Sequence, residues 1–180
     1  VVKKLNEGHI HIVEEGLQPL FEKVLNDQNF CAYDTLQASD VYIISVPTPF
    51  KDDDNEKIAD LSYVENAARL VASKLKPGDL VILESTVPPM TTAKMTDLLV
   101  EESGISRKEF FTAHCPERVL PGNIMYEMEH NDRIIGAESQ EAAQMAKKLY
   151  ESFLTEGQVF MTDDVTAEMC KLVENSYRDV

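Results

Sequence analysis

Glu117, set between Pro116 and Arg118, is the residue of this chain best placed by its neighbours to do chemistry. It follows the apolar run Phe110 to Ala113 and the pair His114-Cys115. A carboxylate just beyond the carboxyl end of a buried strand can orient a water or act as a general base. The same neighbours allow a loop salt bridge between Glu117 and Arg118, and the pattern leaves both readings open. Two other apolar runs break off in the same manner, into Ser45-Val46-Pro47-Thr48-Pro49 and Glu84-Ser85-Thr86-Val87-Pro88-Pro89. Taken singly, each is an ordinary strand stop. Three in succession predict one ligand edge, where hydroxyls and free backbone N–H groups suit a phosphate or a nicotinamide.

Other reactive side chains carry less. Cys115 adjoins an apolar strand, where a cysteine is usually a small buried hydrophobe. His114 is no activating base for it, because adjacent strand residues point to opposite faces. Near the end of the chain, Glu168, Lys171, Asn175 and Arg178 recur at helical spacing and share a polar side, while Val165, Met169 and Leu172 mark an apolar one. Lys171 with Asn175 could hold an anionic or hydroxylated ligand, although spacing alone favours a solvated face. Asp52, Asp53 and Asp54 lack the ligand spacing of a calcium loop. No metal site is expected, and the seven methionines are scattered as core filler.

The elements that must position these residues alternate in type. Residues 1–6 read as the tail of a helix, and Leu17, Leu20, Phe21, Val24 and Leu25 predict a short amphipathic helix over 16–27. Phe30 to Tyr33 is expected as a short strand, and Val41 to Val46 as a strand buried on both faces. Residues 47–60 read as an exposed loop, because two prolines exclude helix at its start and the remainder is charged. Ser62 and Glu65 form a capping-box pattern ahead of a helix reaching Lys74. Strands follow at 79–84, 110–114, 133–136 and 158–161, with a helix from Thr92 to Val100, another capped by Ser139, and a last one capped by Asp163 or Asp164. In the Ser139 helix, Ala142, Ala146, Leu149 and Phe153 should face inward. The alternation predicts an α/β fold with a mostly parallel, doubly wound, Rossmann-like sheet.

A formal charge of −15 over 180 residues argues against nucleic acid or an anionic membrane as partner. The three cysteines, Cys31, Cys115 and Cys170, are widely spaced, which points to a reducing, cytoplasmic setting without disulfides or zinc. No apolar run approaches the roughly 20 residues of a membrane helix. The chain opens in mid-helix without Met and stops within a helical pattern, so a fragment is expected.

The motifs VPTP (46–49), ESTVPP (84–89), CPERVLPG (115–122), NDRIIG (131–136) and TAEMCKLVENSYRDV (166–180), in that order, resemble the nucleotide-sugar 6-dehydrogenases, the UDP-glucose/GDP-mannose dehydrogenase family. CPERVLPG and AEMCKLVENSYRDV are most similar to its UDP-N-acetyl-D-mannosamine dehydrogenase branch. The resemblance covers essentially the whole chain. It implies that residues 1–162 are a partial NAD-binding Rossmann domain, incomplete at its N-terminus, and that 163–180 begin a central helix that builds a homodimer. It further implies two NAD-dependent oxidations of a UDP-sugar C6 alcohol to the carboxylate, through a cysteine of a domain absent here.

By the same resemblance, Val46, Thr48, Pro49, Ser85 and Thr86 contact the cofactor, with Thr86 also near the reacting centre. Glu117 helps to activate the hydrolytic water. Lys171 and Asn175 bind substrate and stabilise oxyanion charge, and the backbone of Arg118, Val119 and Leu120 lines the sugar-nucleotide. Departures accompany these roles. Pro121 stands where many members carry a second acidic residue. No G-x-G-x-x-G occurs, and none of the three cysteines matches the family nucleophile. The 180 residues alone are therefore expected to be inactive, and a non-catalytic α/β nucleotide-binding module is the alternative reading. UDP-glucose and UDP-N-acetylglucosamine are the alternative substrates.

Overall fold

The computed structural model describes residues 1–53 and 56–178. In chain order the elements are α1 (Val2–Asn6), α2 (Leu17–Asn26), β1 (Val41–Ile44), β2 (Phe50–Asp53), β3 (Glu56–Ala59), α3 (Ser62–Ala72) and β4 (Leu80–Leu83). They continue as α4 (Thr91–Ser103), β5 (Phe111–His114), α5 (Ile124–His130), β6 (Arg133–Ala137), α6 (Gln140–Glu151), β7 (Val159–Thr162) and α7 (Asp164–Arg178). Five strands form one sheet in the order β1-β4-β5-β6-β7. The β1–β4, β4–β5 and β6–β7 pairs are parallel, and β5–β6 is antiparallel. The fold is thus α/β and Rossmann-like, with a mostly parallel sheet between helical layers.

The two-residue period of β4 builds both cores. Val81 and Leu83 pack with Val64, Ala68 and Val71 of α3 and Met95 and Leu99 of α4. Leu80 and Ile82 pack with Ala113, Ile135 and, from α6, Ala142, Ala146 and Tyr150. Ser139 caps α6 through the Ala142 N–H at 3.1 Å, and Ala142 and Ala146 face inward as their spacing predicts. Asp163 caps α7 through the Thr166 N–H at 2.8 Å.

Several local expectations change. The run at 41–46 is an edge strand four residues long rather than one buried on both faces. Tyr42 and Ile44 are buried, whereas Val41 and Ile43 are exposed, because α6 packs on β4 to β7 and leaves that side of β1 uncovered. No strand forms at 30–33. There the Asn6 side chain takes both backbone groups of Ala32, at 2.9 and 2.8 Å, which a neighbouring strand would otherwise pair. The expected loop at 47–60 contains the antiparallel β2–β3 pair, whose alternation was hidden by its charges. Asp54 of the acidic run lies outside the described residues.

The capping box does not form either. The Ser62 N–H donates to Asp60 Oδ1 at 3.0 Å, so Asp60 replaces Ser62 as the side chain that opens α3. Helix α4 runs to Ser103, three residues beyond its expected end, until Gly104 at φ 72° stops it. The short α5 was not expected at all. Its entry is held by Glu14, which accepts the Gly122 and Ile124 N–H groups at 3.1 and 2.9 Å.

Candidate active site at the carboxyl edge of the sheet

Because β1, β4 and β5 are parallel, their three polar corners share one edge of the sheet. The corners are laced together by their own hydroxyls. Ser85 Oγ accepts from the Val46 N–H at 2.8 Å and donates to the Val46 carbonyl at 2.7 Å. Thr48 Oγ1 donates to the Thr86 carbonyl at 2.7 Å. Val46, Thr48, Ser85 and Thr86 are therefore brought together, but the Ser85 and Thr48 hydroxyls are spent on backbone. Pro49 is exposed, and its carbonyl accepts the Asp60 N–H at 2.7 Å. The Thr86 hydroxyl makes no hydrogen bond among the described residues and remains free for a ligand.

Past β5, the Glu117 carboxylate is held at both oxygens. Oε1 accepts the Arg118 and Val119 N–H groups at 2.6 and 3.1 Å, and Oε2 accepts from Arg133 Nη1 at 2.6 Å. The salt bridge is thus with Arg133, at the start of β6, and not with Arg118. Arg118 turns instead to Glu174 of α7 at 2.5 Å. Leu120 gives its N–H to Glu127 at 2.9 Å. The N–H groups of 118–120 are all engaged, two by Glu117 and one by Glu127 of α5, which leaves carbonyls and side chains to face a ligand.

Beneath Glu117 lies a polar layer that spacing did not reveal. Tyr150 of α6 donates to Glu84 Oε1 at 2.6 Å, and burial raises the Glu84 carboxyl above its ordinary range. Cys115 is buried, and burial pushes its thiol far up, which rules it out as a nucleophile near neutrality. His114 is fully buried, with no hydrogen-bond partner for either ring nitrogen among the described residues, and burial lowers it to about 4 against a smaller opposing influence of the Leu83 backbone. It stays neutral and activates nothing.

Helix α7 enters the site with the side expected to face solvent. Glu168 is 0% exposed and Lys171 8%. Glu168 accepts the Met90 N–H at 2.6 Å, the Thr92 N–H at 2.7 Å and the Thr92 hydroxyl at 2.6 Å, and so caps α4 from a different helix. That occupies the N-terminal donors of α4, where an anion would otherwise sit. Lys171 lies one turn on. It forms no ion pair among the described residues, and burial lowers its pKa, with the charges of Glu174, Arg178, Arg118 and Glu117 around it. Asn175 follows, half-buried. Of the side marked apolar, Val165 and Met169 line an open groove of about 510 Å³ with Cys170, Val173 and Tyr177, while Leu172 is half-buried outside it.

Gly136 allows this close approach. A Cβ there would stand 2.5 Å from Ala167 Cβ and 2.6 Å from the Asp163 carbonyl. Sequence reasoning missed Arg133, Tyr150, Glu84 and the capping role of Glu168. The available signal was a glycine and an arginine inside a short apolar strand. Among the described residues, no cluster of His, Cys, Asp or Glu could hold a metal ion.

The arrangement pairs a fixed carboxylate with an unpaired buried ammonium beside a corner carrying one free hydroxyl. A group whose developing negative charge faced Lys171 would gain most there, since buried donors act strongly on charge. Glu168 fills the N-terminus of α4, so that helix end is poorly suited to a phosphate.

Known proteins match this architecture. Residues 1–154 match the model of the UDP-glucose/GDP-mannose dehydrogenase family, NAD binding domain. The chain is 45% identical over 179 residues to the UDP-N-acetyl-D-mannosamine dehydrogenase of Methanococcus aeolicus, covering 99% of this chain and 40% of that protein. It is 43% identical over 187 residues to the NDP-N-acetyl-D-galactosaminuronic acid dehydrogenase of Ralstonia nicotianae, covering 99% of this chain and 43% of that one. The solved structure of the UDP-N-acetyl-D-mannosamine dehydrogenase from Pyrococcus horikoshii superposes with a TM-score of 0.93 at 46% identity, over 99% of this chain and 43% of that one. The chain spans about two fifths of the length of these relatives.

Proposed function

The chain belongs to the UDP-glucose/GDP-mannose dehydrogenase family, and from that premise we propose that it is the cofactor-side part of an enzyme that oxidises UDP-N-acetyl-D-mannosamine at C6 to the uronic acid. The observation that carries this reading is that α7 brings the buried Lys171 within the charge field of Glu117 and Arg118, just past the β5 corner, with the half-buried Asn175 one turn further along the same helix. Residues 1–162 form the NAD-binding part, and 163–180 begin a central helix.

The overall change is an alcohol to a carboxylate. Two hydrides leave carbon, and water supplies the second carboxylate oxygen. NAD, when bound, supplies the hydride acceptor. Val46, Thr48, Pro49, Ser85 and Thr86 flank its nicotinamide end. Glu117 orients the water and takes its proton. The Lys171 ammonium and the Asn175 amide hold the oxygen on which charge develops, each such donor contributing about 3 kcal/mol in a dry site. Arg118, Val119 and Leu120 line the sugar-nucleotide through carbonyls and side chains.

These 180 residues by themselves are inactive in this proposal, since they contain no G-x-G-x-x-G and Cys115 is buried and protonated. The exposed Val173 and Tyr177 of α7 support a homodimer built on that helix. Free cysteines support a cytoplasmic location, and no described helix is long and apolar enough to cross a membrane.

The test follows NADH formation by the full-length protein with UDP-N-acetylmannosamine, UDP-N-acetylglucosamine and UDP-glucose side by side. A preference for the first supports the proposal. A preference for UDP-glucose moves the substrate and keeps the family. An inactive full-length protein that still binds the nucleotide favours a non-catalytic module.

A further inference from the structure

Arg133 is an unusual residue to find inside this fold. Its side chain is 3% exposed at the start of β6, in a layer that otherwise belongs to the core. The guanidinium stands 5.4 Å from the Tyr150 ring centroid and 5.9 Å from that of Phe153. Among the described residues it ion-pairs with Glu117 Oε2 at 2.6 Å, and its charge also acts on the Glu84 carboxyl. Among the described residues, Nη2 meets the Met128 carbonyl at 3.4 Å and the Met128 sulfur at 3.0 Å, and Nε has no partner.

Such a site is poorly explained by stability. A buried ion pair generally does no better than apolar residues of the same volume, and an unpaired N–H adds a cost. What the arrangement achieves is placement. Two aromatic rings immobilise the guanidinium. The guanidinium then fixes one oxygen of a carboxylate whose other oxygen is fixed by its own loop. Without Arg133, Glu117 could swing about its Oε1 contacts. Tyr150 meanwhile holds Glu84 at the end of β4, so one arginine–tyrosine stack serves two of the three corners.

We propose that Arg133 is a positioning residue for Glu117, clamped by Tyr150 and Phe153 so that the carboxylate presents a fixed face to the reacting centre. This rests on the reading of Glu117 as the water-orienting carboxylate.

The experiment compares Arg133→Met, Arg133→Lys, Glu117→Gln and the Arg133→Met/Glu117→Gln double variant in the full-length protein, by steady-state kcat and KM and by melting temperature. Misplacement of a reacting group by about 1 Å costs roughly 100-fold, so Arg133→Met should lower kcat by about that factor. KM for sugar-nucleotide and NAD should stay within about threefold, because ground-state binding is untouched. Arg133→Lys keeps the charge without the fork and should recover part of the loss. The double variant should be no slower than Glu117→Gln alone, within about twofold, since Arg133 has nothing left to position.

Additive losses in the double variant, or a parental kcat for Arg133→Met, would overturn the proposal. If Arg133→Met does not fold, Arg133→Lys with and without Glu117→Gln supplies the same comparison. A parental kcat for Glu117→Gln overturns the underlying reading of Glu117, and it does so without any Arg133 variant, so the two failures are separable.

Discussion

Glu168 and Thr92 are 76 residues apart in sequence, and Glu168 Oε1 accepts both the backbone N–H and the hydroxyl of Thr92, at 2.7 and 2.6 Å. The other oxygen takes the Met90 N–H at 2.6 Å. One buried carboxylate therefore locks α7 to the entry of α4, directly after the Ser85–Pro89 corner. Lys171 sits one turn further along the same helix. The latch thus sets the depth at which Lys171 reaches the sheet edge.

Glu168→Ala should leave two backbone N–H groups and a hydroxyl at the entry of α4 without an acceptor. Each unsatisfied buried group costs about 1–3 kcal/mol, so the loss should be several kcal/mol by chemical denaturation. Glu168→Gln can keep its amide oxygen on Thr92 and turns a donor only toward the Met90 N–H, so it should lose less than Glu168→Ala but remain below the parent. Parental stability in both variants would refute the latch.

Lys171 should behave in the opposite sense. Burial lowers its pKa and no described carboxylate pairs with it, so its charge is held at a cost. Lys171→Met should leave the melting temperature at or above the parental value, while the full-length protein loses about 100-fold or more in kcat. A variant that lost stability and activity together would mark Lys171 as structural.

Gly136 is in contact with the backbone of α7. A methyl group at this position would meet Ala167 Cβ and the Asp163 carbonyl at 2.5 and 2.6 Å. Gly136→Ala should push α7 outward and cost about 1–3 kcal/mol, the usual penalty of overpacking. Displacing the helix moves Lys171 with it, so activity should fall further than stability alone explains. Gly136→Ala at parental Tm and kcat would show that α7 is free to shift.

His114 predicts a pH dependence. Its pKa falls from 6.5 in the unfolded chain to about 4 in the fold, because burial penalises the imidazolium. The unfolded state therefore binds more protons between those values. The stability associated with neutral His114 is complete above pH 6.5 and is lost as pH falls toward 4, by about 3 kcal/mol in total. His114→Leu should remove that component, so the stability of the parent relative to this variant should fall by about 3 kcal/mol as pH is lowered from 7 to 4. A difference independent of pH would refute the assignment.

The architecture was legible where hydrophobic period and punctuation agree. The strands at 79–84, 110–114 and 158–161, the helix behind Ser139 and the Asp163 cap all appear where spacing put them. Errors arose where a residue's partner lay far along the chain. Asp60 displaced Ser62 as a cap, and Asn6 consumed the backbone of Ala32. Charged residues at 50–59 concealed a strand pair, because alternation is read from apolar residues and few are present there.

For the site, local pattern determined which strand ends carry polar corners, and parallel pairing then put those corners on a single edge. It also singled out Glu117 over Cys115, since a cysteine beside an apolar strand is expected to be buried and inert. Only the tertiary structure decided that Glu117 pairs with Arg133 instead of its neighbour Arg118, and that the Glu168–Lys171 side of α7 faces inward. The reason is physical. Helical spacing states which residues share a face, but which face is buried depends on what packs against it. Here a bare glycine on β6 and the open donors at the entry of α4 draw in the polar side, and the apolar side is left only half-buried at Val165 and Leu172 and exposed at Met169.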